Sequence, residues 1–158
     1  MDEEQFVRLI DEHQAVIHKI CRVYRSTQHD REDLFQEIVL QLWKSVTGFE
    51  GKSKFSTWMY RVALTTALTA FRKKQPAIVY THELPEHPAG SGHSPAQETL
   101  MHAISKLSDA DKAIITLYLE NLPYREIADV MGISENNVAV KINRIKSRLQ
   151  QLIKKENV

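Results

Sequence analysis

The sequence has little of what small proteins use to reinforce a weak core or to enter a membrane. Its single cysteine, Cys21, excludes an intramolecular disulfide and a cysteine-rich zinc site. No stretch approaches the ~20 consecutive apolar residues of a membrane span, and the acidic start MDEEQF lacks a basic-then-apolar signal sequence. Apolar residues nevertheless make up 42% of the 158, which is enough for packed cores. We therefore expect a soluble cytoplasmic protein.

Signatures of catalysis are also scarce. The chain has no glycine-rich phosphate loop and no nucleophile elbow. The nearest approach to a metal-ligand pair is His18 with Cys21, which share a helix face at i and i+3. His13, His29 and Asp30 lie nearby in sequence, but no second pair has ligand spacing. The sequence therefore predicts no catalytic residue, no cofactor and no metal site.

Charge is present in both signs but is unevenly placed. Residues 1–50 hold ten acids and six bases, whereas residues 51–74 hold six bases and no acid. Residues 134–155 hold six bases and one acid. Two basic segments that follow an acidic one indicate two polyanion contacts and a separate protein contact. On charge alone, solvated helix faces are an equally good interpretation.

Proline and glycine are concentrated in the middle of the chain. Residues 76–95 hold four of the five prolines and two of the five glycines, and they show no apolar period. This composition predicts a flexible linker over 76–96. Neither side of it shows convincing strand-like alternation. We therefore predict an all-α chain with one helical domain in 1–75 and a second in 97–158.

The first domain has the pattern of three helices. The predicted ranges are roughly 3–25, 30–46 and 53–73. Asp30 is the expected N-cap of the second helix. Gly48 and Gly51 interrupt the apolar pattern before the third helix begins near Ser53.

The second domain carries a helix-turn-helix signature. Ala128 is small where two helices would cross, and Gly132 supplies the positive φ that ends one helix and turns the chain. Ser134 caps a last helix that reaches about residue 154. Ahead of this motif a helix opens near residue 96, and another runs to about residue 120 with Ser108 and Asp111 as its capping box.

The last helix separates an apolar stripe from a polar face. At about 100° per residue, the stripe that must face the core contains Val138, Ile142, Ile145, Leu149 and Leu152. The opposite face presents Asn136, Asn137, Val140, Asn143, Arg144 and Ser147, flanked by Lys141 and Arg148. Amides and arginine read base edges in the major groove, an exposed valine meets a thymine methyl, and lysines suit phosphates. This face predicts duplex-DNA recognition over a merely solvated surface.

The second helix of the first domain carries a row of acidic and apolar residues. Its members are Asp33, Gln36, Glu37, Leu40 and Trp43. Residues at this spacing share one helix face, and acids beside an apolar strip suit a partner that is basic and helical. A solvated acidic face is common for any one of these residues and less expected for the set.

The segment that follows mixes lysines with aromatic residues. Gly51 to Ser56 contains two lysines, and Phe55, Trp58 and Tyr60 lie in or just after it. This mixture is typical of single-stranded DNA sites, where backbone charge is neutralised and exposed bases stack or enter pockets. Some of these aromatic side chains must belong to the core, and we expect this of Trp58 in preference to Phe55.

The order of these features resembles a known family. The stretch EDLFQEIVLQLWKSVTGFEGKSKFSTWMYRVA resembles region 2 of the bacterial sigma factors, and residues 98–155 resemble region 4. The chain is similar to the extracytoplasmic-function (ECF) subgroup of the sigma-70 family over nearly its whole length outside the linker. The resemblance implies two partners: core RNA polymerase, and promoter DNA as duplex and as melted non-template strand. It also leaves room for an anti-sigma factor, which the sequence does not identify.

The resemblance implies roles for three sets of residues. The row on the second helix would bind core polymerase. The set that would melt and capture the −10 element is Lys52, Ser53, Lys54, Phe55, Ser56, Trp58, Arg61, Thr65, Arg72, Lys73 and Lys74. The set that would read the −35 element is Arg125, Ser134, Asn136, Asn137, Val140, Lys141, Arg144, Lys146 and Arg148.

Some residues depart from the family pattern. Thr65 and Thr69 stand where asparagine and aspartate are common, Pro123 replaces a capping serine, and Asn137 and Ala139 replace a common threonine and lysine. These departures predict unusual −10 and −35 sequences. Regions 1.1 and 3 have no counterpart in the pattern, as expected of the smallest sigma subgroup.

One alternative stays open at this point. A regulator could bind duplex DNA through the same helix-turn-helix without polymerase and use its first domain for sensing or dimerisation. Such a protein would not need the lysine and aromatic segment that contains Phe55 and Trp58.

Overall fold

Helices account for all the regular structure in the part of the chain that the computed structural model describes, residues 1–49, 51, 54–73 and 94–156. The chain divides into unit 1 (Met1–Leu84) and unit 2 (Pro85–Val158). Unit 1 contains α1 (Glu3–Tyr24), α2 (Gln28–Ser45), a 3₁₀ turn (Val46–Gly48) and α3 (Phe55–Lys73). Unit 2 contains α4 (Pro95–Ser105), α5 (Asp109–Leu119), α6 (Tyr124–Met131) and α7 (Glu135–Glu156). The predicted all-α fold with two helical domains is confirmed. Most of the predicted linker, residues 76–93, lies outside the described residues.

Side-chain caps set the starts of α1 and α2. The Asp2 carboxylate accepts a hydrogen bond from the Gln5 N–H at 2.8 Å, and the Gln5 side chain accepts one from the Asp2 N–H at 3.2 Å. At α2, the Thr27 hydroxyl accepts from the Asp30 N–H at 3.1 Å. The predicted N-cap at Asp30 was therefore wrong, because Thr27 already satisfies the orphan donor and Asp30 lies inside the first turn.

The three long helices of unit 1 pack around side chains that each of them contributes. The fully buried residues of this core include Ile17, Ile20, Ile38, Leu42 and Met59. On α3, Ala63 and Ala67 are one turn apart and both are 0% exposed, so their small side chains let the neighbouring helices approach closely. This packing leaves Arg61, Thr65 and Thr69 exposed on another face of α3.

Unit 2 begins with two capped helices. The Ser94 hydroxyl accepts from the Gln97 N–H at 3.2 Å, and the Gln97 side chain accepts from the Ser94 N–H at 3.0 Å, which completes a capping box at α4. At α5 the Ser108 hydroxyl accepts from the Asp111 N–H at 3.3 Å. Between these two described residues only the serine half of the predicted box forms, because aspartate is shorter than the glutamate or glutamine that makes the return bond.

The helix-turn-helix is formed by α6 and α7. Gly132 has a φ of 70°, and its N–H donates to the Ala128 carbonyl at 2.8 Å, which ends α6 in a left-handed cap. The Ser134 hydroxyl then accepts from the Asn137 N–H at 3.1 Å and caps α7. Val138 is fully buried and Ala128 is nearly so. The predicted roles of the glycine, the small alanine and the capping serine are confirmed. No helix in the described ranges is long and apolar enough to cross a membrane.

Candidate nucleic-acid interface

The two sides of α7 differ as helical periodicity predicts. The stripe residues Val138, Ile142, Ile145 and Leu149 are buried. All six residues of the predicted reading face are exposed, and Val140 keeps 51% of its surface open to solvent. An apolar side chain left this open on an otherwise polar face is available to meet a thymine methyl.

The basic side chains around this face differ in their exposure and in their contacts. Arg148 is exposed and Lys141 is half-buried on one flank, and Arg125 is exposed on α6. The Lys146 ammonium instead lies 4.6 Å from the centroid of the Tyr118 ring. A side-chain hydrogen bond with Tyr118 raises the pKa of Lys146 above its ordinary 10.5.

The predicted polymerase-binding row lies on the outer side of α2. Gln36, Leu40 and Trp43 are exposed, and the Trp43 ring packs against the Phe6 ring with centroids 5.0 Å apart. Together with Val7 of α1, these side chains line an apolar groove of about 510 Å³ between α1 and α2. The apolar half of the row therefore continues onto α1, which the sequence pattern did not reveal.

The acidic half of the row, Asp33 and Glu37, does not line that groove. Asp33 lies 3.5 Å from the His29 ring nitrogen, and the Glu37 carboxylate accepts from the Gln41 amide at 3.1 Å. Glu37 and Gln41 line a second groove, of about 360 Å³, between α2 and α3. Glu37 thus borders both the predicted polymerase face and the predicted −10 face.

The second groove brings together polar residues from two helices. From α2 it is lined by Glu37, Gln41 and Ser45, and from α3 by Arg61, Thr65 and Thr69. Sequence reasoning placed Arg61 and Thr65 in the −10 set but missed Gln41 and Ser45. Their signal was present, because they continue the Glu37 face of α2 at i+4 and i+8. The spacing alone does not predict the groove, because the groove also requires α3 to pack alongside α2.

Aromatic side chains gather at the start of α3. Phe49, Phe55 and Trp58 form a cluster with ring centroids 5.3 to 5.9 Å apart. The His13 ring of α1 lies 5.6 Å from Phe55. Trp58 and Phe55 are both half-buried, because each packs on the other and on Phe49, so the expectation that Trp58 is the more buried of the two stays a prediction. Tyr60, by contrast, is core.

Part of the predicted −10 set lies outside the described residues. This is the case for Lys52, Ser53 and Lys74, and for the side chains of Arg72 and Lys73. Two further members of the set are described: Lys54, just before α3, is exposed, and Ser56, in the first turn of α3, is half-buried. These two flank Phe55, so a cation and a hydroxyl adjoin the aromatic cluster.

The histidines near the N-terminus have aromatic partners. The His18 ring stacks on Phe35 with centroids 4.3 Å apart, and His13 contacts Phe55. Cys21 is buried, and burial raises the pKa of its thiol to about 12. Across the described ranges, no three side chains of histidine, cysteine, aspartate or glutamate come together as a metal site would require.

Comparison with known proteins identifies both units. Residues 9–77 match the family model for sigma-70 region 2, and residues 97–149 match the model for sigma-70 region 4. Curated ECF sigma factors align along almost the entire chain. The chain belongs to the ECF subgroup of the sigma-70 family.

Two similar sigma factors show the extent of the match. The Bacillus subtilis ECF RNA polymerase sigma factor SigW is 26% identical over 97% of this chain and 91% of its own length. The ECF RNA polymerase sigma-E factor of Haemophilus influenzae is 29% identical over 96% of this chain and 89% of its own length. Both of these relatives are sigma factors, which are not enzymes.

Solved structures show the same fold. The sigma factor RpoE from Bartonella quintana, determined in complex with the anti-sigma factor NepR, has a TM-score of 0.76 at 21% identity. The alignment covers 96% of this chain and 98% of that one. CnrH, determined with the cytosolic domain of CnrY, has a TM-score of 0.71 at 18% identity over 97% of this chain and 90% of that one.

Proposed function

We propose that this sigma factor binds core RNA polymerase through the outer face of α2 and reads promoters with two surfaces of different kinds. Residues 1–75 would take the −10 element and residues 97–158 the −35 element. One observation carries the proposal: unit 1 holds both the polar α2–α3 groove and an aromatic cluster, whereas unit 2 presents a helix-turn-helix with an exposed reading face. A polar groove and aromatic rings in one domain suit unpaired bases, and an exposed helix face suits duplex DNA.

In unit 1 the α2–α3 groove would receive one flipped base of the melted non-template strand. Its volume of about 360 Å³ has room for a single base. The Gln41 amide and the Thr65 and Thr69 hydroxyls would bond to the base edge, because amides and hydroxyls donate and accept in one site. Phe55 and Trp58 would stack on neighbouring bases. Strand opening would then be driven by base capture, without ATP.

In unit 2 the reading face of α7 would enter the major groove. Arg144 and the asparagines would bond to base edges, and Val140 would contact a thymine methyl. Lys141 and Arg148 would bind backbone phosphates on one flank. Ser134 would act first as the cap of α7, since its hydroxyl is engaged with the Asn137 N–H.

The polymerase-binding face would combine charge with apolar contact. Asp33 and Glu37 would meet a basic helical partner, while Leu40 and Trp43 would be covered by apolar side chains. Because its partner works on chromosomal DNA, we place the protein in the cytoplasm. The structural relatives RpoE and CnrH were determined with NepR and with the cytosolic domain of CnrY. We extend the proposal to an anti-sigma partner on that basis.

A gel-shift experiment with and without core polymerase tests the proposal. The probe would be a promoter recovered by in vitro transcription of a genomic library. We expect a sequence-specific shift, followed by transcription, only when core polymerase is present. Specific binding by the chain alone, with no transcript from the complex, would instead favour the polymerase-independent regulator.

A further inference from the structure

An aromatic ring contacts one of the basic side chains of α7, the recognition helix, whose exposed face we propose to read DNA. The Lys146 ammonium lies 4.6 Å from the centroid of the Tyr118 ring, and the Tyr118 and Tyr124 rings lie 6.3 Å apart. These three residues, here called the tyrosine–lysine cluster, come from α7, α5 and α6 respectively. The cluster therefore joins both helices of the helix-turn-helix to the preceding helix.

The cluster places Lys146 on a flank that the other basic residues of α7 do not occupy. At about 100° per residue, Lys146 lies between the core stripe and the reading face on the α5 side. Lys141 and Arg148 lie on the opposite flank. A helix in the major groove runs between two phosphate backbones. Within α7, Lys146 is thus the basic residue on the side that the second backbone would approach.

Tyr118 is a fixed support for this lysine. Its side chain is half-buried in the last turn of α5 and contacts Tyr124 at the start of α6. A cation over an aromatic face is attracted by the partial negative charge on that face of the ring quadrupole. The ring leaves other N–H groups of the ammonium available for an anion, because lysine carries three donors. A flexible side chain is thereby held without losing its capacity to bind.

We propose that Tyr118 is a positioning residue of the DNA interface, which holds Lys146 ready to bind a backbone phosphate on the α5 flank of the recognition helix. Ordering a free lysine side chain on binding opposes association, and the ring removes part of that cost beforehand. The partner is the phosphodiester backbone of duplex DNA of any sequence. This inference rests on the proposed function in requiring that α7 enters the major groove.

A double-mutant cycle on the full chain tests the proposal. Binding to a labelled duplex of arbitrary sequence would be measured by fluorescence anisotropy at several salt concentrations for Tyr118→Leu, Lys146→Ala and the double variant. We expect Lys146→Ala to reduce the slope of log affinity against log salt by about 0.9, the loss of one phosphate contact. Tyr118→Leu should weaken binding about two- to fourfold in the parent and have no effect when Lys146 is already alanine. Tyr118→Phe keeps the ring but removes the hydroxyl that hydrogen-bonds to Lys146, so its affinity should fall between those of the parent and Tyr118→Leu.

Two results would overturn the proposal while leaving the sigma-factor assignment intact. One is an equal loss from Tyr118→Leu in both backgrounds, which would mean that the ring only supports the fold. The other is an unchanged salt slope for Lys146→Ala. Failure of the proposed function would be seen in the gel-shift experiment instead, where the unaltered chain would give no polymerase-dependent shift of promoter DNA.

A second readout needs no variant at Tyr118. Lysines of the full chain would be tagged with ¹³C-methyl groups, and Lys44, an exposed lysine of α2, would serve as the control. We expect an upfield ring-current shift for Lys146 but not for Lys44, and we expect it to persist when duplex DNA is added. Its absence in free protein, or its loss on DNA addition, would contradict a ring that holds the lysine for phosphate binding.

Discussion

The two units separate packing from recognition to different degrees. In α7, buried Val138 and Ile142 lie opposite exposed Val140 and Arg144, so the core and the reading face share no side chain. In unit 1 the aromatic cluster is half-buried, and Phe55 and Trp58, which we propose to stack on unpaired bases, also pack on each other. A duplex is read by a convex helix face, whereas an unpaired base needs a concave site. A concave site has to be built from side chains that also hold the fold.

This difference has a consequence for mutational analysis. A change on the reading face of α7 should remove a proposed DNA contact and leave the core intact. A change in the aromatic cluster should alter both the stability of unit 1 and its proposed DNA surface.

The largest effect is expected from cutting the chain between the units. Residues 1–75 and 94–158, supplied as separate chains, should not support transcription together at concentrations where the intact chain works. Tethering makes the second contact intramolecular and so multiplies two weak affinities. Transcript yield from a promoter template measures this. An unrelated Gly/Ser segment of equal length in place of residues 76–93 is the control and should restore most activity; full activity from the unlinked halves would refute the tether.

Two alanine substitutions, one in each unit, test the contrast between the units most simply. Trp58→Ala should lower the free energy of unfolding of unit 1 by about 2–3 kcal/mol and should also abolish promoter opening, measured by permanganate reactivity of unpaired thymines. Val140→Ala should change stability by less than about 0.5 kcal/mol yet weaken duplex binding. Urea titration gives the stabilities. Equal stability losses in the two variants would contradict the view that packing and recognition share side chains in unit 1 but not in unit 2.

Reversal of charge on α2 should affect polymerase and leave the unit 2 interface unchanged. Asp33→Arg together with Glu37→Arg should weaken core binding about tenfold or more, because like charges would meet on a desolvated surface. Asp11→Arg together with Glu12→Arg, two exposed acids of α1, is the matched control and should bind core normally. Affinity for fluorescently labelled core enzyme measures both. Near-normal holoenzyme assembly by the α2 variant would contradict the assignment.

The smallest effect concerns Cys21, whose thiol reports on unit 1 alone. Burial raises its pKa to about 12 from 9.0, so the neutral thiol stabilises the fold below pH 9 and this contribution is lost as the pH rises from 9 towards 12. At pH 8 the thiol should react slowly with Ellman's reagent, and Trp58→Ala should accelerate that reaction while Val140→Ala should not. Rapid reaction in the unaltered chain would show that the core of unit 1 opens easily.

Sequence patterns predicted unit 2 better than the functional surfaces of unit 1. The helix-turn-helix follows from local rules, since a glycine with positive φ, a small alanine and a serine cap each have one structural meaning. The α2–α3 groove has no such local rule, because Gln41 and Thr65 come together only through packing. The N-cap of α2 was misplaced for a related reason: Thr27 and Asp30 are both good caps, and the choice depends on where the turn after α1 ends.

The mixed roles of the aromatic residues also exceeded what sequence alone predicts. Periodicity sorts residues into buried and exposed, and Phe55 and Trp58 are neither. The contact of Lys146 with Tyr118 is likewise invisible to a pattern, because the two residues lie on different helices 28 positions apart.

In the proposed mechanism, unit 1 captures unpaired bases while unit 2 reads duplex DNA. Binding of the holoenzyme to two probes from one promoter tests it most directly: a single strand carrying the −10 non-template sequence, and a duplex carrying the −35 element. Gln41→Ala should weaken binding to the single strand only, and Arg144→Ala should weaken binding to the duplex only, by about 1–3 kcal/mol for a lost base contact. Losses by both variants on the same probe, or equal losses on both probes, would contradict the account.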